Sequence, residues 1–180
     1  MGRILLKWAS LLLALCMLAG VAAGCSEATA KNEDETASIK AYLKNEFNGP
    51  DQETKKMLDD FGKTEGGGKE FKEYLEKHYK PYVQNEKYKD FVNMYALVWL
   101  RKAYGGGYQM KVKDMDIQKT DDANDTAYTF TLHVDYHKED EKAKTAKVTG
   151  LINLDKDDKI SRIRNLDDGG LLQAMTSNGN

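Results

Sequence analysis

Three residues spaced two apart, His133, Asp135 and His137, put imidazole, carboxylate and imidazole on one side of an extended segment. Alternate residues of a strand share a face, about 6.5–7 Å apart, and this mixture of ligands suits zinc. The set has no evident fourth ligand. It also lies on the face that the neighbouring apolar residues leave to water. The three are read as solvated strand residues, and no metal site is assigned.

Two other stretches imitate known chemistry and fail on spacing. Gly62 to Lys69, GKTEGGGK, has the composition of a phosphate-cradling loop. That loop needs glycine six residues before its lysine. Those positions hold Lys63 and Met57, and Glu70 follows Lys69 where Ser or Thr should stand. It is read as a loop between helices. Asp155-Lys156-Asp157-Asp158 lacks the central glycine and final glutamate of a twelve-residue calcium loop and is read as a turn.

Acid–base catalysis needs a carboxylate or histidine on a core-facing side, where burial tunes its pKa. The clearest alternating segment, Ala127 to His137, faces the core with Tyr128, Phe130, Leu132, Val134 and Tyr136. The next, Lys144 to Leu154, does so with Ala146, Val148, Gly150, Ile152 and Leu154. Neither set holds a carboxylate or a histidine. No catalytic residue and no cofactor are assigned, and the chain is expected not to be an enzyme. What remains is aromatic. Tyr95, Trp99, Tyr128 and Tyr136 are the candidates to line a cavity for a small apolar ligand or a peptide segment. The competing expectation is that the protein's own side chains fill that space.

One cysteine carries a different message. Arg3 and Lys7 precede an apolar run from about Trp8 to Ala23, and small residues lead into Cys25. The run is short for a membrane span of about 20 residues and has the layout of a secretory signal. Ala22-Ala23-Gly24-Cys25 resembles a bacterial lipoprotein box, in which the cysteine is acylated and becomes the new N-terminus. Residues 1–24 are then a signal peptide and Cys25 a lipid attachment point at the outer face of the cytoplasmic membrane. The only other cysteine, Cys16, leaves with the signal. Thiol catalysis and a disulfide scaffold are thereby excluded from the mature domain. Residues 25–37 have no large apolar side chain and form a flexible tether. Its stretch from Ser26 to Thr36 reaches at most about 35–40 Å.

The remaining length suits one domain. The chain carries a net charge of −2, with acidic and basic residues well mixed. Nucleic acid would demand a basic cluster, so it is excluded as a partner.

Four helical segments come first. Ile39, Tyr42, Leu43 and Phe47 have helical spacing. Pro50 suits the first position of a second helix, with Met57, Leu58 and Phe61 on its apolar side. Phe71, Tyr74, Leu75 and His78 mark a third, which Pro81 stops. Tyr82 to Gln84 has the makings of a short edge strand. Asn85 to Tyr104 is the longest pattern, and its part beyond Met94 is apolar all round, as in an enclosed helix. Gly105-Gly106-Gly107 ends it. The period then changes to two: Tyr108 to Ile117 with a bulge near Lys113-Asp114, Ala127 to His137, Lys144 to Leu154, and Lys159 to Leu166. Short polar turns join neighbours into an antiparallel meander. Residues 38–167 form the domain, and residues 168–180 a polar, loose tail.

FNGPD at Phe47 to Asp51, YALVWLRKAYGGGY at Tyr95 to Tyr108 and TAKVTGLINLDKDDKISRIRNL at Thr145 to Leu166 resemble the NTF2-like superfamily, of the kind found in uncharacterised Gram-positive lipoproteins. The resemblance covers Ser38 to Leu166. It implies an α+β fold with N-terminal helices packed in a curved, four-stranded antiparallel sheet, the NTF2-like or cystatin-like cone. That superfamily holds isomerases, dehydratases and domains that only bind, so fold guides function weakly. The expectation is a membrane-anchored, non-catalytic binding or accessory module of the cell envelope. Its partner is a protein or a small ligand. The alternative is a small isomerase- or hydrolase-type enzyme with an unassigned base.

Overall fold

A computed structural model describes residues 35–120 and 126–176. The signal peptide, Cys25 and the tether up to Asp34 lie outside the described residues. Thr36 is already buried and its carbonyl accepts from the Lys40 N–H, so helical structure begins slightly before the tether was expected to end.

Helix α1 spans Ala37–Phe47 and buries Ile39, Tyr42, Leu43, Glu46 and Phe47. These positions are i, i+3, i+4, i+7 and i+8, one continuous stripe of a helix. Helix α2 spans Gln52–Asp60. Its cap is Asp51, whose carboxylate accepts from the Thr54 N–H at 2.8 Å. Pro50 therefore stands outside the helix rather than at its first position. An Asp cap satisfies one of the free amides of the first turn. Helix α3 spans Gly67–His78, so GKTEGGGK is a loop running into a helix, without a strand before it. Pro81 then sits in a 3-10 turn, Lys80–Tyr82. Val83 makes one isolated parallel bridge to Ile160, and the Gln84 N–H donates to the Ile160 carbonyl at 2.9 Å. The expected edge strand is thus a single bridge beside a turn.

The long helix expected over Asn85 to Tyr104 is broken. A 3-10 turn, Asn85–Lys87, leads into α4, Tyr88–Tyr95, and α5 follows at Val98–Gly106. Between them Ala96 is extended and Leu97 is left-handed, with φ 60° and ψ 17°. The apolar run MYALVWL is not enclosed on all sides either. Leu97, Trp99 and Leu100 are buried, but Met94 is 58% exposed. Met94 lies in α4 ahead of the break, on a helix whose one buried residue is Phe91.

Four strands follow: β1 Tyr108–Lys119, β2 Thr126–Lys138, β3 Lys144–Leu154 and β4 Ile160–Asp167. They form one antiparallel sheet in the order β1-β2-β3-β4. The protein is α+β, helices first and a meander after. The expected bulge lies between Val112 and Asp114. Tyr128, Phe130, Leu132 and Val134 of β2 are buried on one face, with Ala146, Val148, Ile152 and Leu154 of β3 beside them. Gly150 faces Phe130 across the pair, and a Cβ there would come within 2.7 Å of the Phe130 ring. The glycine makes room for the aromatic. One continuous core joins this sheet face to the buried sides of the helices.

The described part of the C-terminal tail, up to Thr176, is not loose. Helix α6, Leu171–Thr176, buries Leu171 and Met175. Asp168 caps it, accepting from the Gly170 N–H at 2.9 Å and the Leu172 N–H at 3.0 Å, and also takes the Trp99 indole N–H at 3.2 Å. The Leu171-Leu172 pair is the part of the tail that packs, with Leu171 fully buried and Leu172 partly so against the same core.

Candidate functional site

A cleft of about 790 Å³ opens between α4 and β4. The helix side supplies Asp90, Phe91, Met94 and Tyr95, with Lys87 at its start. The sheet side supplies Ser161 to Asn165, with Asn153 from β3. Both walls follow from local structure. In α4, Phe91 and Tyr95 are four apart and share a face, their rings 5.6 Å apart. Met94 projects beside them because the helix stops one residue later. In β4, Ile163 points into the core while Arg162 and Arg164 take the opposite face, as alternation requires. The Arg164 Nε donates to Asn153 Oδ1 at 3.0 Å, which fixes that guanidinium. The Tyr95 hydroxyl reaches the Ile163 carbonyl at 3.4 Å, a weak tie across the cleft.

The cleft floor hides a polar cluster. Phe91 packs edge-on against Tyr42 at 5.2 Å and lies 6.4 Å from the Tyr79 ring. Behind these rings sits Glu46, with 0% exposure. Its Oε1 accepts from the Tyr79 hydroxyl at 2.5 Å and from the Leu97 N–H at 2.5 Å. No side chain of the α4–α5 break caps α5. Glu46 does so from another helix, and a carboxylate is favoured at a helix N-terminus. The left-handed geometry of Leu97, which costs about 1–2 kcal/mol for an L-residue, aims its N–H at that carboxylate. Burial pushes the Glu46 pKa up to about 7, against the lowering pull of the Tyr79 hydroxyl and the Leu97, Trp99 and Val98 amides. The Glu46 Oε2 and Tyr42 hydroxyl have no hydrogen-bond partner. Burial, then the nearby Glu46 charge, drives the Tyr42 pKa well above its usual value.

The sequence reading missed Glu46 because it sought a carboxylate only on the sheet. The signal was present: Glu46 occupies the i+7 place of the stripe that begins at Ile39. A charge in the middle of an apolar stripe is either paired inside or marks a helix end.

The four aromatic candidates do not meet. Tyr95 lines the cleft. Trp99 is buried against Phe47, ring centroids 4.7 Å apart. Tyr128 is buried in the sheet's core face with Lys119 over its ring. Tyr136 is half-buried beside Tyr108. Their hydroxyls and rings serve separate parts of one core. His133, Asp135 and His137 are likewise dispersed in their bonding. His133 pairs with Asp114 at 2.6 Å, Asp135 accepts from Thr145, and His137 meets the Lys138 carbonyl. Among the described residues no group of three or more His, Cys, Asp or Glu could hold a metal ion. No helix among them is long and apolar enough to cross a membrane.

Chemically, the cleft lining holds aromatic and thioether surface on the core side of the β4 edge and cations on the other side. Ser161, the lining hydroxyl on a strand, donates to the Asn153 carbonyl. Among the described lining residues no nucleophile has a base hydrogen-bonded to it. No family model matches this chain, and no curated protein and no solved structure is significantly similar to it.

Proposed function

We propose that this protein is a lipid-anchored recognition module of the cell envelope, with an NTF2-like cone held at the outer face of the cytoplasmic membrane through Cys25. The α4–β4 cleft is its binding surface. The observation that carries this reading is the cleft itself. A 58%-exposed methionine and the Tyr95 ring line one open cleft together with Arg162 and Arg164. Methionine, aromatic residues and arginine are the side chains enriched at protein interfaces. The anchor and tether of the sequence reading put such a surface near other envelope proteins.

A photo-crosslinking amino acid in place of Met94, in the membrane-held full chain, tests it. A discrete adduct is expected at Met94 and not at Lys144, an exposed control on β3. The adduct should shrink in the Cys25→Ala variant, which is no longer held at the membrane. Equal labelling at both positions, or none, overturns the reading.

A second reading, a small acid–base enzyme, is favoured by Glu46, a carboxyl poised near neutrality beside two tyrosines. It requires a path from the cleft past Phe91. A water-soluble carbodiimide decides this. The binding-module reading expects Glu46 to stay unmodified until the protein unfolds, and labelling in the folded state favours the enzyme.

A further inference from the structure

We propose that the outer edge of β4 is a strand-addition site that takes an extended segment of a partner protein, alternating apolar and acidic residues. The inference rests on the cleft being a recognition surface and names what it recognises.

The sheet order leaves β4 at an edge. Its outer side is paired at one end only, where the Ile160 carbonyl accepts from Gln84. From Ser161 onward no backbone of the described residues pairs with that side, apart from the weak Tyr95 hydroxyl contact at Ile163. Asn165, with φ 50°, ends the regular edge. The free stretch is Ser161 to Arg164. Ser161 falls in the register shift opposite Asn153 and Leu154, so the regular part, Arg162 to Arg164, is about 10 Å long at roughly 3.3 Å per residue. Most proteins cover or blunt such an edge. Here it forms one wall of the 790 Å³ cleft, and α4 forms the other. A helix beside an open edge is the layout in which an added strand gains main-chain bonds from the sheet and side-chain contacts from the helix.

The side chains define the guest. A strand alongside β4 alternates its residues between the two faces of the sheet. On the core face it meets Phe91, Met94 and Tyr95. On the other it meets Arg162 and Arg164, with Lys87 at the cleft's end and Asp90 the one acid of the lining. None of these three cations is in an ion pair in the described structure. Apolar residues therefore suit one side of the guest and Asp or Glu the other. Two internal guests are disfavoured by the same chemistry. A second β4 edge would bring arginines against arginines. The chain's own stretch from Ser26 to Thr36 is acidic but has no large apolar residue for the aromatic wall.

The test uses the folded chain lacking its signal and a blocked peptide of sequence Val-Glu-Val-Glu-Val-Glu. Amide resonances of Ser161 to Arg164 should shift saturably, with those residues gaining protection from hydrogen exchange. Methylating alternate peptide nitrogens, which removes strand donors and keeps the side chains, should weaken binding tenfold or more. A Lys-for-Glu peptide should not bind. Arg162→Glu should weaken the acidic peptide tenfold or more, whereas Lys111→Glu on the far edge strand should not. Equal binding of the methylated peptide overturns strand addition, as do shifts confined to residues outside β4 and α4. No binding of any peptide also overturns it. In each case a Met94 adduct leaves the recognition reading standing, and its absence removes both. Self-association through β4, seen as concentration-dependent sedimentation that Arg162→Glu abolishes, overturns the choice of guest.

Discussion

Glu46 shows how one residue can tie folding to pH. Its pKa is raised from 4.5 to about 7, so the folded state holds a proton that the unfolded chain has released. The stabilising contribution is complete below about pH 4.5 and is lost as pH rises toward 7. A shift of this size is on the order of 3 kcal/mol. Other carboxylates act in reverse: Glu53, held low first by its hydrogen bond from Lys77, loses its contribution as pH falls. The useful measurement is therefore a difference. Glu46→Gln keeps an oxygen for Tyr79 and Leu97 and cannot ionise. Its unfolding free energy relative to the parent should rise by about 3 kcal/mol between pH 4.5 and pH 8. Denaturant titrations at both values check this, and a constant difference would show that Glu46 does not titrate in this window. Tyr42 and Tyr79, the ionisable groups around it, have raised pKa values and stay neutral throughout.

At the scale of elements, two features depend on partners distant in sequence. The α4–α5 break exists because Glu46, Tyr79 and Leu97 meet, although the sequence from Asn85 to Tyr104 repeats as one helix would. Local periodicity saw the apolar positions and not the cap. Helix α6 depends on Asp168, which caps its own helix and also receives the Trp99 indole of α5. Asp168→Ala should destabilise by about 1–2 kcal/mol, the range for a lost cap. It should also leave the buried Trp99 N–H unpaired, so tryptophan fluorescence should report the change along with the melting temperature. An unaltered melt would mean that α6 contributes little. The sequence showed the Leu171-Leu172 pair but gave no reason for six residues to dock. That reason is the space beside α5, where Leu171 and Met175 are buried.

The whole molecule divides unevenly into what was readable and what was not. The meander was legible because strands announce themselves by alternation, and a bulge by its change of phase at Lys113-Asp114. The α+β class followed from helical periods preceding strand periods. The candidate site was only partly legible. Tyr95 was singled out for its aromatic ring and does line the cleft. Arg162 and Arg164 were passed over, because on a sequence they resemble ordinary solvent-facing residues, and Met94 was expected to be enclosed with the apolar run that it opens. Their value arises when an edge strand and a helix from distant parts of the chain form opposite walls. Trp99, Tyr128 and Tyr136 look equivalent to Tyr95 in composition and periodicity, yet each packs elsewhere.

The order of amino acids alone determined the α+β class, the strand phases and the polar and apolar faces of the sheet. All of these depend on neighbours within a few residues, where spacing and turn chemistry act. Tertiary structure decided where the long helix breaks, that a glutamate is buried behind Phe91, and that the β4 edge stays open beside α4. These depend on contacts between residues tens of positions apart. Their energies come from burial and hydrogen bonds that no local pattern encodes.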